Sequence, residues 1–517
     1  MIYCFGLAAL CLAWLLPGHY FPWTGFQQET VAAIGALLLA VAALASTGMR
    51  RLPLPWIAIG ALLLAAVPML QWMGGQVPYL GDAALSSLYL CAFALTVVAA
   101  SALASKFTDT FAAAMFAAIL IGAMASAAIG LAQWLQIGFD APIEHLDAGG
   151  RVYANFTQPN HLASLLGMGI VAAIWLFETR RIGLLCVALL LAYLGFGIVM
   201  TQSRTGWAFA AMLALWWALG RRNVTLRTTG PGVGASLLAF VAMTKLWAPL
   251  NAFLDMQTAT VLADRVTTVG ARSINWTVLW DAAWRQPWFG WGWMRVAEAQ
   301  QAATLDHPPS HEWIGFSHNV VLDLWVWNGL VLGSVLIVAI AAWIATRSLR
   351  CRDVSSWAMM AAGGVLLTHA LLEFPHAYLY FLLPLAVFVG FVESHTETRN
   401  PAVSNWAFGL SCSAMAGLLT WICHEYLSIE DAARAQRLKE AGYVVRGEEP
   451  AIPSVVLLDN QREFLWFRMT EARSGMSKDD LERMRQVNLR FMPPAVLLRY
   501  AIAAGLNGEA AQAERNL

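Results

Sequence analysis

The chain has 517 residues, of which 59% are hydrophobic and only 12% charged, with 32 basic and 32 acidic side chains in balance. A soluble domain carries about 25% charged residues, so this composition excludes an ordinary soluble enzyme. Apolar runs of about 20 residues, broken by short polar joints, instead describe an all-α polytopic membrane protein.

The first run, 1–18, lacks a basic leader and a small-residue cleavage site and is expected to be a retained span. Further spans are expected at 30–48, 54–70, 84–104, 111–136, 160–178, 182–200, 205–220, 232–250, 318–345, 356–372, 376–393 and 404–424, about thirteen transmembrane helices in all. Arg50, Arg51, Lys106, Arg180, Arg181, Arg221, Arg222, Arg227, Arg347, Arg350, Arg352 and Arg399 fall in every second joint. The positive-inside rule puts those joints in the cytoplasm, so the N-terminus lies inside and the tail outside.

The outward face holds "PGHYFPWTGFQQE" (17–29), the loop 137–159, "TQSR" (201–204), the long segment 251–317 and "EFPH" (373–376). A connection as long as 251–317 is usually functional in a compact protein. Within it Trp276, Trp280 and Trp284 recur every fourth residue. That stripe suits a helix in the membrane interface, and equally one that caps the bundle. Residues 425–517 hold 27 of the 64 charged residues and read as helices, ending in one helix-turn-helix unit, "RYAIAAGLNGEAAQAERNL". Four regions follow: N-terminal spans (1–250), an outward loop with an interfacial helix (251–317), C-terminal spans (318–424) and a soluble helical outward tail (425–517). The seven cysteines lie in or beside apolar runs and read as small buried hydrophobes.

Polar groups gather at span ends on the outward side. His318 and Asn319 open one span, Arg204 precedes another, and Gln158, Asn160 and His161 begin a third; Arg265 and Arg272 lie in the long loop, and His369, Glu373 and His376 surround the last outward joint. Ionisable groups at membrane depth are expensive and face a cavity or one another. Helix N-termini and arginine forks favour phosphates. A histidine can take the proton of an attacking hydroxyl. His318 as base, with Arg204 and Arg272 as phosphate clamps, makes a coherent transferase site. Each residue also has a plainer use: a hydrogen-bonded span-end histidine, a headgroup-binding arginine, an asparagine helix cap. A metal reading of His307, His311 and His318 is set aside, because the two prolines of "HPPSHEW" keep them off one helix face and no acidic or cysteine ligand joins them.

These segments resemble bacterial O-linking oligosaccharyltransferases of the PglL type, within the O-antigen ligase and polymerase (WaaL and Wzy) superfamily. The resemblance rests on "HYFPWTGFQQE", "NFTQPNHLASLL", "TQSRTGW", "ARSINWTVLWDAAWRQPWFGWGW", "FSHNVVLDLWVWNGL", "LLEFPHAYLYFLLPLAVFVG" and the tail segment, and so covers most of the chain. It implies an undecaprenyl-diphosphate-linked glycan as donor and a serine or threonine of a periplasmic protein, often a type IV pilin, as acceptor. It implies an inner-membrane location, which makes the outward loop and tail periplasmic, with no nucleotide cofactor, no obligatory metal and no nucleic-acid partner. By the motif matches His318 would be catalytic and Arg204 and Arg272 would hold the pyrophosphate, with Arg265 nearby. Asn319, Gln158, Asn160 and His161 would shape the site, with Glu373 and His376 beside them. One departure stands out: the family motif often has a histidine two residues before the key one, and Phe316 occupies that position here. The nearest rival is an O-antigen ligase or polymerase with a sugar acceptor. A lipid-linked glycan flippase is further off, because it calls for midplane charges and an internal repeat.

Overall fold

The computed structural model describes residues 2–138, 144, 146, 150–156, 158–256, 269–396, 400–443, 451–491 and 493–515. The elements are almost all helices: α1 (Tyr3–Leu15), α2 (Phe26–Ser46), α3 (Trp56–Met73), α4 (Leu80–Trp134), α5 (Pro159–Glu178), α6 (Leu184–Met200), α7 (Thr205–Gly220), α8 (Gly230–Phe253), α9 (Val269–Arg285), α10 (Val296–Thr304), α11 (Val320–Arg350), α12 (Val354–Ala370), α13 (Leu379–Ser394), α14 (Asn405–Glu440), α15 (Asp459–Met469), α16 (Lys478–Phe491), α17 (Pro494–Leu506) and α18 (Ala510–Arg515). Among the described residues, seven helices are long and apolar enough to cross a bilayer: α2, α3, α4, α5, α8, α11 and α14; α1, α6, α7 and α13 are apolar but shorter.

Two long helices are broken, and both breaks have physical causes. At 55 residues α4 would reach about 80 Å, far beyond the roughly 30 Å of a hydrocarbon core. It leaves helical geometry at Phe107. Beside this break Lys106 Nζ donates to the carbonyls of Ser46 (3.0 Å) and Thr47 (2.7 Å) at the end of α2. The expected pair of spans, 84–104 and 111–136, occupies its two arms.

The 31-residue α11 breaks at Gly329, whose φ of 77° is left-handed and suits glycine alone. A Cβ there would meet the Pro287 and Trp288 backbone at 2.6–2.7 Å. The freed backbone groups are satisfied across this contact: Leu330 N donates to Pro287 O and Trp291 N to Val326 O, each at 2.7 Å. The sequence reads 318–345 as one span. The fold instead makes 320–328 a separate short helix and leaves 330–350, about 30 Å long, to match a bilayer.

One core joins α1, α2, α4, α5, α12 and α13. The long connection between α8 and α11 has its own, from α9 and α10 with Ile314, Val326 and Trp327. The tail builds a third from α15 to α18. At the basic end of the bundle a two-stranded antiparallel ladder pairs Arg51 with Ser404, Leu52 with Val403 and Pro53 with Ala402. Helix α14 runs through residue 424 without interruption and carries the chain into the tail. The tail is fastened to the start of α4: Asp459 accepts from Leu80 N (2.9 Å) and Gly81 N (2.7 Å), two of the amides that a helix start leaves free.

Candidate active site

Four distant segments meet around Glu373. The chain continues for one turn beyond α12, with Glu373 N donating to His369 O at 2.8 Å, and this holds the carboxylate in a buried position, 2% exposed. Its Oε2 lies 2.5 Å from His318 Nδ1. Its Oε1 accepts from Arg272 Nη2 on α9 and from Asn160 Nδ2 at 2.9 Å, and Gln158 Nε2 approaches Oε2 at 3.5 Å. Burial alone would push this carboxyl up. The hydrogen bonds and charges of His318 and Arg272 outweigh that effect and hold it below the ordinary carboxylate value.

His318 has a left-handed backbone, φ 58°, which is uncommon for a residue with a Cβ. Such a conformation persists only where its surroundings over-determine it. They do so here: Ser317 N donates to Asp323 Oδ1 (2.8 Å), Trp276 Nε1 donates to Ser317 O (2.9 Å), and Ser317 Oγ bonds Asn319 at both its carbonyl (2.6 Å) and its amide (3.1 Å). Asn319 caps the short helix 320–328 through Val321 N at 3.0 Å. With Nδ1 engaged by Glu373, Nε2 is the ring's other nitrogen and stays on the far side of the imidazole from the carboxylate.

The structure thus brings together His318, Asn319, Arg272, Gln158, Asn160 and Glu373, but places the other expected residues differently. His161 is buried, with Nδ1 2.9 Å from the Tyr380 hydroxyl, and does not contact Glu373. His376 lies 3.2 Å from Asp323 Oδ2. Arg204 is exposed at the start of α7, and its side chain has no hydrogen-bond or ion-pair partner among the described residues; next to it, Ser203 Oγ donates to Asn160 Oδ1 at 2.6 Å. Arg265 lies outside the described residues. His307 pairs with Asp281 at 3.1 Å, and His311 is exposed. No metal-ligand cluster of three or more His, Cys, Asp or Glu occurs among the described residues. The tryptophan stripe divides: Trp276 turns inward to Ser317, while Trp280 and Trp284 are 44% and 57% exposed.

Sequence reasoning missed three contributors. Arg151 donates to Thr201 O (2.9 Å) and approaches Asn160 Oδ1 at 3.5 Å. Ser203 was seen only as part of "TQSR". Asp323 lay inside an apparent span, where an ionisable residue is itself a signal of function.

The comparisons agree with this architecture. Residues 187–337 match the O-antigen ligase family, residues 152–177 match the protein glycosylation ligase family, and residues 357–517 match the C-terminal part of the virulence factor membrane-bound polymerase family. The O-antigen ligase and protein glycosylation ligase matches take in the residues gathered around Glu373. It is 28% identical over 510 residues to a general O-oligosaccharyltransferase of Acinetobacter baylyi, covering 95% of this chain and 87% of the relative. It is 24% identical over 407 residues, 78% of this chain and 73% of the relative, to a ComP-specific O-oligosaccharyltransferase of the same organism.

Proposed function

We propose that this protein is an O-oligosaccharyltransferase of the bacterial inner membrane. It moves a preassembled glycan from undecaprenyl diphosphate to a serine or threonine of a periplasmic protein such as a pilin. The observation that carries the reading is the His318–Glu373–Arg272 cluster, in a chain whose relatives are O-oligosaccharyltransferases.

The acceptor oxygen attacks the anomeric carbon while its proton passes to His318 Nε2. The bond from that carbon to the diphosphate oxygen breaks, and undecaprenyl diphosphate leaves with the electron pair. Glu373, facing Nδ1, stabilises the imidazolium that forms. Arg272 and the exposed Arg204 meet the charge of the leaving pyrophosphate. Positioning and charge stabilisation supply most of the rate. The basic joints support a sidedness in which this end of the bundle and the tail are periplasmic and the N-terminus is cytoplasmic. The exposed faces of Trp280 and Trp284 suit the membrane interface.

The test is to mix detergent-purified protein with an undecaprenyl-diphosphate oligosaccharide and a pilin, and to read the pilin by intact-mass spectrometry. A glycan-sized gain on serine or threonine is expected. The O-antigen ligase match to residues 187–337 favours a second reading with a sugar acceptor. Transfer to lipid A-core with none to pilin would establish that reading instead.

A further inference from the structure

Beneath the site lies a cluster of buried polar atoms that lack hydrogen-bond partners. Asp323 Oδ2, Trp327 Nε1 and both ring nitrogens of His376 are buried and make no hydrogen bond, although His376 Nε2 and Asp323 Oδ2 lie within ion-pair distance. Asp323 is 0% and Trp327 4% exposed. They stand four residues apart, on one face of the short helix 320–328, and His376 faces both. His376 Nε2 is 3.2 Å from Asp323 Oδ2, and the His376 and Trp327 rings are centred 5.9 Å apart. Buried polar atoms are rarely left unpaired. In this cluster the inventory matches: one indole donor, one carboxylate acceptor, and an imidazole that offers one of each.

We infer that His376 is the middle link of a chain, Trp327 Nε1–H to His376 Nδ1 and His376 Nε2–H to Asp323 Oδ2, and that this chain holds His318 in place. A rotation of the imidazole supplies both hydrogen bonds and leaves none of the four atoms unpaired. The connection to the site is direct. The other oxygen of Asp323 accepts from Ser317 N at 2.8 Å, immediately before the left-handed His318. His376 is carried by the same joint as Glu373, so each segment gives the other one imidazole and one carboxylate: His318 to Glu373, and His376 to Asp323. The rings between them are in contact. Phe316 stacks on Phe374 at 4.9 Å and stands edge-on to His376 at 6.0 Å, while His318 stands edge-on to Phe374 at 4.8 Å. Asp323, His376 and Trp327 are therefore positioning residues, whose loss lets His318 and Glu373 drift apart.

The inference rests on the reading of His318 as the base, so His318→Ala belongs in the same experiment. Glycan transfer kinetics would be measured for Asp323→Asn, His376→Gln, the double variant and Trp327→Phe, each normalised to folded protein by size-exclusion chromatography. A displacement of about 1 Å can cost about 100-fold in rate. Asp323→Asn and His376→Gln are expected to lower kcat by about 10- to 100-fold with the donor KM unchanged. The double variant should be no worse than the poorer single one. Trp327→Phe keeps an aromatic side chain but removes the donor together with the five-membered part of the indole, and should cost a few-fold in kcat. Multiplying losses in the double variant, or a raised donor KM at unchanged kcat, would overturn the chain. So would wild-type kcat in His376→Gln and Trp327→Phe, the two variants that decide the matter if Asp323→Asn does not fold. An active His318→Ala would instead remove the base reading, whereas an inactive His318→Ala beside normal Asp323 and His376 variants would remove this inference alone.

Discussion

Among the buried carboxylates that an arginine holds, Asp82 and Glu373 are set up differently. Asp82, 3% exposed, receives both Nε (2.7 Å) and Nη2 (3.0 Å) of Arg490 from the tail and Nδ2 of Asn460 at 2.8 Å. Its arginine is itself only 14% exposed. That is a sealed fork, closed on both sides. Glu373 is as deeply buried, but its arginine is 40% exposed and its other partner is a histidine that it engages through Nδ1 alone. The first arrangement fastens α16 to α4. The second leaves a half-exposed guanidinium and a second imidazole nitrogen, the groups that the proposed transfer uses. Burial and pairing alone therefore do not distinguish a structural ion pair from a catalytic one; the groups that remain accessible do.

Breaking each cluster should expose that difference. The largest effect is expected at the sealed fork. Asp82→Ala strands a buried guanidinium and should cost about 3–5 kcal/mol of tail docking, read as faster proteolysis of the segment after Glu440, with the rate per folded molecule retained. Next comes Glu373→Gln, which removes the charge that steadies the imidazolium while keeping the shape; transfer should fall by about 100-fold, with the tail no more sensitive to protease than in wild type. Arg272→Lys keeps the charge and loses the fork, so donor KM should rise about tenfold while kcat changes less; unchanged donor binding would count against the clamp.

The smallest effect is in pH dependence. The Glu373 carboxyl is held below its ordinary value in the folded protein, so its contribution to stability is complete above the ordinary glutamate value of about 4.3. It is lost as pH falls through the depressed folded value. Thermal melts in detergent should show no change from this group between about pH 5 and 8, and Glu373→Gln should shed part of the acid-side loss.

Much of this was legible in the sequence, for a specific reason. In a charge-poor chain, polar residues at the ends of apolar runs are conspicuous, and His318, Asn319, Gln158, Asn160, Arg272 and Glu373 could be singled out although they lie far apart along the chain. What could not be read was partnership. Nothing in the local pattern says that Arg272 pairs with Glu373, or that Arg204 stays exposed while its neighbour Ser203 turns inward. Asp323 escaped because "VVLDLWVWNGLVLG" looks like one continuous span. The break at Gly329 depends on the approach of Pro287 and Trp288 from more than 40 residues earlier, and local periodicity carries no record of that contact. The tail was legible as helices, but its docking by Asp459 and Arg490 onto α4 was not, since charged residues on an amphipathic helix read first as a solvated face.

In the function we propose, the Glu373 cluster, centred on His318, carries out the transfer. The most direct test is a single-turnover assay with donor in excess, following the intact mass of the acceptor protein for wild type, His318→Ala and Asp82→Ala side by side. Loss of about 10²- to 10⁴-fold in rate for His318→Ala, the range for a general base, with Asp82→Ala transferring at the wild-type rate per folded molecule, is the predicted result. Transfer by His318→Ala at the wild-type rate would contradict the account.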